Sequence, residues 1–358
     1  PVQDMEEKLK KIKQGDRLVR EDFLESCRSF VFKTACKYSR RVLVWGRDDE
    51  LAIALIACNE AIDRYREDSG VPFLAYANLV KLPHTVFALP FALVGVVLAS
   101  YHHSVRGVDL ALVVVAFTAA RFAAMAFNRL VDRAYDAANP RTAGRELPTG
   151  RLTPRQAAAA TAVAGAIFLL SAAALNPLCA ALGPLALGWI LFYSYTKRFT
   201  RWSHLVLGLS LAIAPVGGYL AIAGRWSDPP ATLLLLAGAV LAWVAGFDTL
   251  YALQDVDFDR RVGLHSLPAA LGPASALRVA RALHALTVAL LLGLWAVAPE
   301  LDGGALLGTT VVAALLLYEH RLVRPNDLTR LDAAFFRVNG LLAIAYFLAV
   351  AAERLLRP

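Results

Sequence analysis

Charge is what this sequence has least of. Only 18% of its 358 residues are Asp, Glu, Lys or Arg, against about a quarter in a soluble domain. Hydrophobic residues make up 58%, and the mean hydropathy is +0.51. Such a composition excludes an ordinary soluble globular protein and points to a membrane protein. Cysteine is scarce too. Cys27, Cys36, Cys58 and Cys179 stand at neither metal-ligand nor CxxC spacing, so they read as small buried apolar residues. The opening MEEKLKKIKQGD lacks the apolar core of a secretory signal. Lysine nearly vanishes after residue 40: six of the eight come before it, and only Lys81 and Lys197 follow.

That change in lysine usage divides the chain. Residues 1–77 read as a small soluble helical domain, because LVREDFLESCRSFVFKTACKYS and DDELAIALIACNEAIDRY carry apolar residues at helical spacing. Residues 78–358 are built from Ala, Leu, Val and Arg and read as the membrane part. The formal charge of +8 suggests nucleic acid at first sight, but residues 1–75 hold 14 basic and 14 acidic side chains. The excess therefore lies in the apolar part, where basic loops report membrane orientation. IKQGD (Ile12–Asp16) and DDELAIALIACNEAIDRYREDSGVPFLAYA (Asp48–Ala77) resemble the start of a sigma-I type RNA polymerase sigma factor. The resemblance stops where the promoter-reading helices should begin. A neutral fragment lacks the basic footprint of DNA binding, so no nucleic-acid partner is expected.

A membrane helix needs about 20 largely apolar residues. Nine candidates follow Leu82, near 82–101, 108–127, 156–175, 177–195, 204–223, 231–247, 279–298, 303–318 and 333–351. The expected fold is all-α, a nine-helix transmembrane bundle behind the soluble domain. Basic residues concentrate in the 128–155, 196–203, 248–278 and 319–332 loops, and the alternate loops are poor in them. The positive-inside rule then predicts that the rich loops and the N-terminal domain face the cytoplasm, and the expected location is the bacterial inner membrane.

Two acidic stretches sit at cytoplasmic ends of spans. Asn128, Asp132 and Asp136 stand at i, i+4 and i+8, one face if the helix continues. Asp248, Tyr251, Asp255 and Asp259 stand at i, i+3, i+7 and i+11, again one face, and Asp257 falls off it. Clustered carboxylates need a compensating cation. Carboxylate and amide oxygens are hard ligands suited to Mg²⁺, which also takes substrate phosphates. Arg141, Arg145, Lys197 and Arg198 nearby supply the cations that a diphosphate requires. Taken singly, each Asp reads as a solvated loop charge; two sets in phase, each followed by arginines, favour a site.

Asn128-Arg-Leu-Val-Asp132-Arg-Ala-Tyr-Asp136, its tail NPRTAGRELPTGRLT, and Tyr251-Ala-Leu-Gln-Asp255-Val-Asp-Phe-Asp259 resemble the two motifs of the UbiA superfamily of intramembrane prenyltransferases. YSYTKRFT resembles that family's short basic element, and the resemblance runs from about Lys81 to the C-terminus. It implies nine spans and Mg²⁺-dependent transfer of a polyprenyl group from its diphosphate to an aromatic acceptor, by way of an allylic cation in an apolar cavity. It also implies roles. Asn128, Asp132, Asp136, Asp255 and Asp259 form the metal set, with Asp136 and Asp248 as supporting acids. Lys197, Arg198, Arg145 and Arg141 contact the diphosphate. Asp132, Asp255, Lys197 and Tyr251 are the catalytic group, Tyr251 by orienting the site. LPHTVFALPFALVG, AMAFNRLVDR and NDLTRLDAAFFRVNG resemble the 4-hydroxybenzoate polyprenyltransferase group, which implies 4-hydroxybenzoate or a dihydroxynaphthoate as acceptor, in ubiquinone or menaquinone synthesis. His84 is either a substrate contact or a satisfied interfacial histidine. Three rivals remain: a transporter, which would place its carboxylates near mid-span; a haem-O or chlorophyll type of the same superfamily; and a membrane-tethered transcription regulator, which would need the missing promoter-reading region.

Overall fold

A computed structural model describes residues 11–12, 16–39, 76, 79–80, 89–323, 328, 331 and 337–357. His84, Lys81, the Asp48–Ala77 stretch apart from Tyr76, and most of NDLTRLDAAFFRVNG lie outside the described residues. The chain divides into two compact units, Pro1–Leu74 and Ala75–Pro358.

In the first unit the described element is α1 (Arg17–Ser39). Asp16 precedes it and its carboxylate accepts the Val19 N–H at 3.1 Å, a satisfied donor at the helix start. Ile12 is buried against Val19, Phe23 and Leu24. Cys27 on this helix is partly exposed, unlike the buried residue its sequence context predicts.

Every described element of the second unit is helical: α2 (Leu89–Ser100), α3 (Gly107–Val131), α4 (Arg133–Ala138), α5 (Pro154–Leu175), α6 (Pro177–Thr196), α7 (Ser203–Ala223), α8 (Ala231–Tyr251), a 3₁₀ turn (Ala252–Asp255), α9 (Val256–Val262), α10 (Leu267–Leu271), α11 (Pro273–Val297), α12 (Gly303–Leu322) and α13 (Asn339–Leu356). Among the described residues eight helical stretches are long and apolar enough to cross a membrane. The sequence predicts nine. The difference falls on the first, of which α2 supplies 12 described residues, with residues 81–88 outside the description. The sixth predicted span continues as helix through the 3₁₀ turn to Val262, beyond the end at residue 247 expected from hydropathy.

Helix ends follow their local chemistry. Thr153 and Gln156 form a capping box at the start of α5. Asn176 alone separates α5 from α6. It caps α6 by accepting the Cys179 N–H, and its amide donates to the carbonyls of Leu220 and Ala221 at the end of α7. One polar residue thus closes a tight turn and ties it to a third helix.

The bundle pairs α3 with α5, α7 with α2 and α8, α8 with α11, and α12 with α13. Its centre is aromatic: the fully buried Trp243 lies 5.0 Å from Phe91, which stacks on Tyr346 at 5.8 Å. Glycine sets the closest helix approach. A Cβ on Gly95 would strike the Pro215 carbonyl, and one on Gly218 the Ala92 carbonyl. Small residues let backbones touch where lipid offers no hydrophobic drive for association.

Candidate active site

One large cavity of about 870 Å³ opens among α3, α5, α6, α7 and α8. Its body is apolar, walled by residues such as Phe117, Phe168, Leu182 and Trp189. Its acidic residues and most of its basic ones gather at the helix ends: Asn128, Asp132, Asp136, Arg141, Arg145, Lys197, Asp248, Tyr251, Asp255 and Asp259 all line it. Both acidic stretches therefore meet at one place, with more than a hundred residues of chain between them.

Neither stretch is the unbroken helix that its spacing suggests. Asp132 ends α3 and begins α4 at φ −90°, ψ 8°. Asp255 ends the 3₁₀ turn and begins α9 at φ −105°, ψ 3°. Both central carboxylates occupy the sparsely populated bridge region, where many active-site residues sit. The kinks turn Asp136 and Asp259 inward while Asp257 stays exposed.

Each carboxylate has a defined partner. The Asn128 amide donates to Asp132 at 3.0 Å. Asp136 takes Arg145 at 2.6 Å, and its second oxygen is buried with no hydrogen bond among the described residues. Arg141 clamps Asp255 with two bonds of 3.0 and 2.6 Å, the bidentate geometry that favours arginine. Arg141 also lies over the Tyr251 ring, 5.7 Å from its centroid. Asp259 accepts the Ser266 hydroxyl at 2.8 Å. Lys197 is enclosed at the same mouth. Burial by itself would depress its ammonium pKa, but the carboxylates of Asp248, Asp259, Asp255 and Asp132 outweigh burial and hold it above the ordinary value. Burial pushes the Asp132 carboxyl up, and Asp136 adds to that rise, against the pull of Lys197 and Arg198.

Arg198 is placed differently from its sequence expectation. It does not line the cavity. Its guanidinium donates to the Val131 carbonyl at 2.9 Å and to Asp132 at 3.3 Å, and it lies over the rings of Tyr135 and Tyr195. It therefore braces Asp132 from behind. The reason is positional: Lys197 caps α6 and Arg198 follows it into the turn, so the two neighbouring side chains diverge.

Several residues escape sequence reasoning. The Asn139 side-chain amide donates to Asp255 at 3.1 Å, and its Oδ1 accepts the Arg141 backbone N–H at 3.0 Å, so it joins the two acidic stretches. His204, fully buried, pairs with Asp248 at 2.6 Å. Arg121 and Arg129 line the cavity from α3. The NPRT tail was the only signal for Asn139, and a lone histidine at an apolar helix start gives none.

Among the described residues no three histidine, cysteine or carboxylate groups close around a point as an all-protein metal cage. Mg²⁺ does not require one, since it keeps waters and is completed by substrate phosphates. The oxygen-only donors, and the unpartnered Asp136 oxygen in particular, fit such an ion.

The chain is similar to known proteins. Residues 88–341 match the UbiA prenyltransferase family. The 4-hydroxybenzoate octaprenyltransferase of Aeromonas hydrophila is 33% identical over 226 residues, covering 63% of this chain and 77% of that protein. The apo structure of a UbiA homolog from Aeropyrum pernix K1 is 34% identical with a TM-score of 0.66, covering 75% of this chain and 96% of that one. A UbiA homolog from Archaeoglobus fulgidus, bound to DMAPP and Mg²⁺, shares the fold at 22% identity and a TM-score of 0.61, covering 77% and 99%. The chain is an integral membrane protein that belongs to the UbiA prenyltransferase family.

Proposed function

We propose that the protein joins a polyprenyl group, taken from its diphosphate, to an aromatic acid, 4-hydroxybenzoate or a dihydroxynaphthoate, in quinone synthesis. As a family member it is a prenyltransferase; the chemistry of the acceptor is the proposed part. The observation that carries the reading is the meeting of both acidic stretches with Lys197, Arg141 and Arg145 at the mouth of one apolar cavity. Relatives named 4-hydroxybenzoate octaprenyltransferase support the acceptor.

Asn128, Asp132, Asp136, Asp255 and Asp259 would hold Mg²⁺, directly or through water. Bound there, the ion would supply charge neutralisation to the departing diphosphate. Lys197, Arg141 and Arg145 bind the diphosphate oxygens, and Asp248 orients Lys197. Arg198 acts by bracing Asp132, and Tyr251 orients the Arg141 guanidinium. The apolar wall holds the prenyl chain and keeps water from the allylic carbon as its C–O bond breaks. A ring carbon of the acceptor forms the new C–C bond, and the released diphosphate takes up the displaced ring proton, which restores aromaticity.

The basic loops at the cavity mouth support a cytoplasmic opening in the bacterial inner membrane. We further propose that residues 1–77, the sigma-like fragment, are an appended domain that takes no part in chemistry, since all the site residues lie beyond it. Membranes containing the protein, given Mg²⁺, a polyprenyl diphosphate and each acceptor in turn, should yield a prenylated aromatic acid. Absence of product with every acceptor, from correctly inserted protein, overturns the assignment.

A further inference from the structure

Three consecutive residues touch three different parts of the site. The His265 N–H donates to the Lys197 carbonyl at 2.7 Å. The Ser266 hydroxyl donates to Asp259 at 2.8 Å. The Leu267 N–H donates to Nε2 of His204 at 3.3 Å. His204 is fully buried in the first turn of α7, and its Nδ1 lies 2.6 Å from Asp248.

The last two contacts fix the histidine's chemistry. A backbone N–H only donates, so Nε2 is the bare nitrogen and Nδ1 carries the proton. That proton goes to Oδ2 of Asp248. The other oxygen, Oδ1, makes no hydrogen bond among the described residues, and Asp248 and Lys197 both line the cavity, close enough for the Asp248 charge to act on the Lys197 ammonium. A buried partner that fixes both the tautomer and the direction of a carboxylate is a known means of orienting an active group.

We propose that His204 is a positioning residue: it aims Asp248 at Lys197 and, through the 265–267 segment, holds that pair in register with Asp259. The inference rests on the reading above that Lys197 and Asp248 serve the diphosphate. The sequence separation explains why only the fold reveals it, since His204 meets Asp248 across 44 residues and Leu267 across 63.

The variants follow from the two hydrogen bonds. His204→Leu removes both and keeps an apolar filling. His204→Met, a flexible filler, replaces it if the leucine variant does not accumulate in membranes. His204→Gln restores both, because a carboxamide carries a donor and an acceptor on one carbon, as the imidazole ring does. Prenyl transfer and the Kd for inorganic pyrophosphate with Mg²⁺ are measured for each, with the thermal melting point as a control.

His204→Leu should lower kcat/KM about 10–100-fold and weaken pyrophosphate binding, as loss of an outer partner does at comparable sites. His204→Gln should stay within about threefold of wild type on both readouts, since it remakes both bonds. In a double-mutant cycle, His204→Leu added to Asp248→Asn should cost clearly less than it does in the wild-type background, because the two changes share the Asp248 path and only the Leu267 contact remains to be lost. Independent, multiplying losses, or equal losses for Leu and Gln, would overturn the proposal, as would an unimpaired leucine variant of an active enzyme. A wild-type protein that neither transfers a prenyl group nor binds pyrophosphate would instead overturn the reading of the site and the inference with it.

Discussion

The sharpest contrast in the site is between Asp255 and Asp257, two residues apart in one motif. Asp255 is 8% exposed, lines the cavity, and receives three hydrogen bonds, two from Arg141 and one from Asn139. Asp257 is exposed and does not line the cavity. Asp255→Ala removes one proposed metal ligand and frees the Arg141 guanidinium. Removing one member of a buried pair costs about 3–5 kcal/mol of stability. Arg141 is 32% exposed on its side chain, so water takes up part of the freed charge, and we expect about 1–3 kcal/mol here. The loss of transition-state stabilisation is larger: about 10³-fold in kcat/KM, or ~4 kcal/mol at about 1.4 kcal/mol per decade. Asp257→Ala should change either quantity little, within ~0.5 kcal/mol, as surface substitutions do. The assay is transfer of a labelled prenyl group in membranes of matched protein content, with melting in detergent alongside. Equal losses of turnover at the two positions would refute the placement of Asp255 in the cavity wall and of Asp257 outside it.

Further predictions follow from the same structure. EDTA should abolish turnover and excess Mg²⁺ restore it, and full activity in chelator would remove the metal from the reading. Gly218→Val should prevent stable insertion, because its side chain would meet the Ala92 carbonyl; normal accumulation and melting would show that the α2–α7 contact can open. A chain beginning near Ala75 should insert and turn over within a few fold of the full chain; a stable but inactive product would assign residues 1–74 a part in the site.

Much of this protein is legible in one dimension. A span is a run of apolar residues long enough for the bilayer, so hydropathy alone placed most of the helices to within a few residues. Spacing of four residues put Asn128, Asp132 and Asp136 together, because a helix repeats on nearly that period. Asp257 was separated from its neighbours by the same argument. The kinks at Asp132 and Asp255 had no such signal, because either residue type also fits a continuing helix. Partner choice belongs entirely to the bundle. Arg141 reaches Asp255 across 114 residues and His204 reaches Asp248 across 44. Which charge neutralises which depends on distances of a few ångströms between helix ends. Arg198 makes the same point: its charge suggested a cavity contact, but the turn after α6 directs it to the back of Asp132. Local chemistry in the sequence determined which residues are fit for the site, and helix packing decided which of them face the cavity and which hold the others in place.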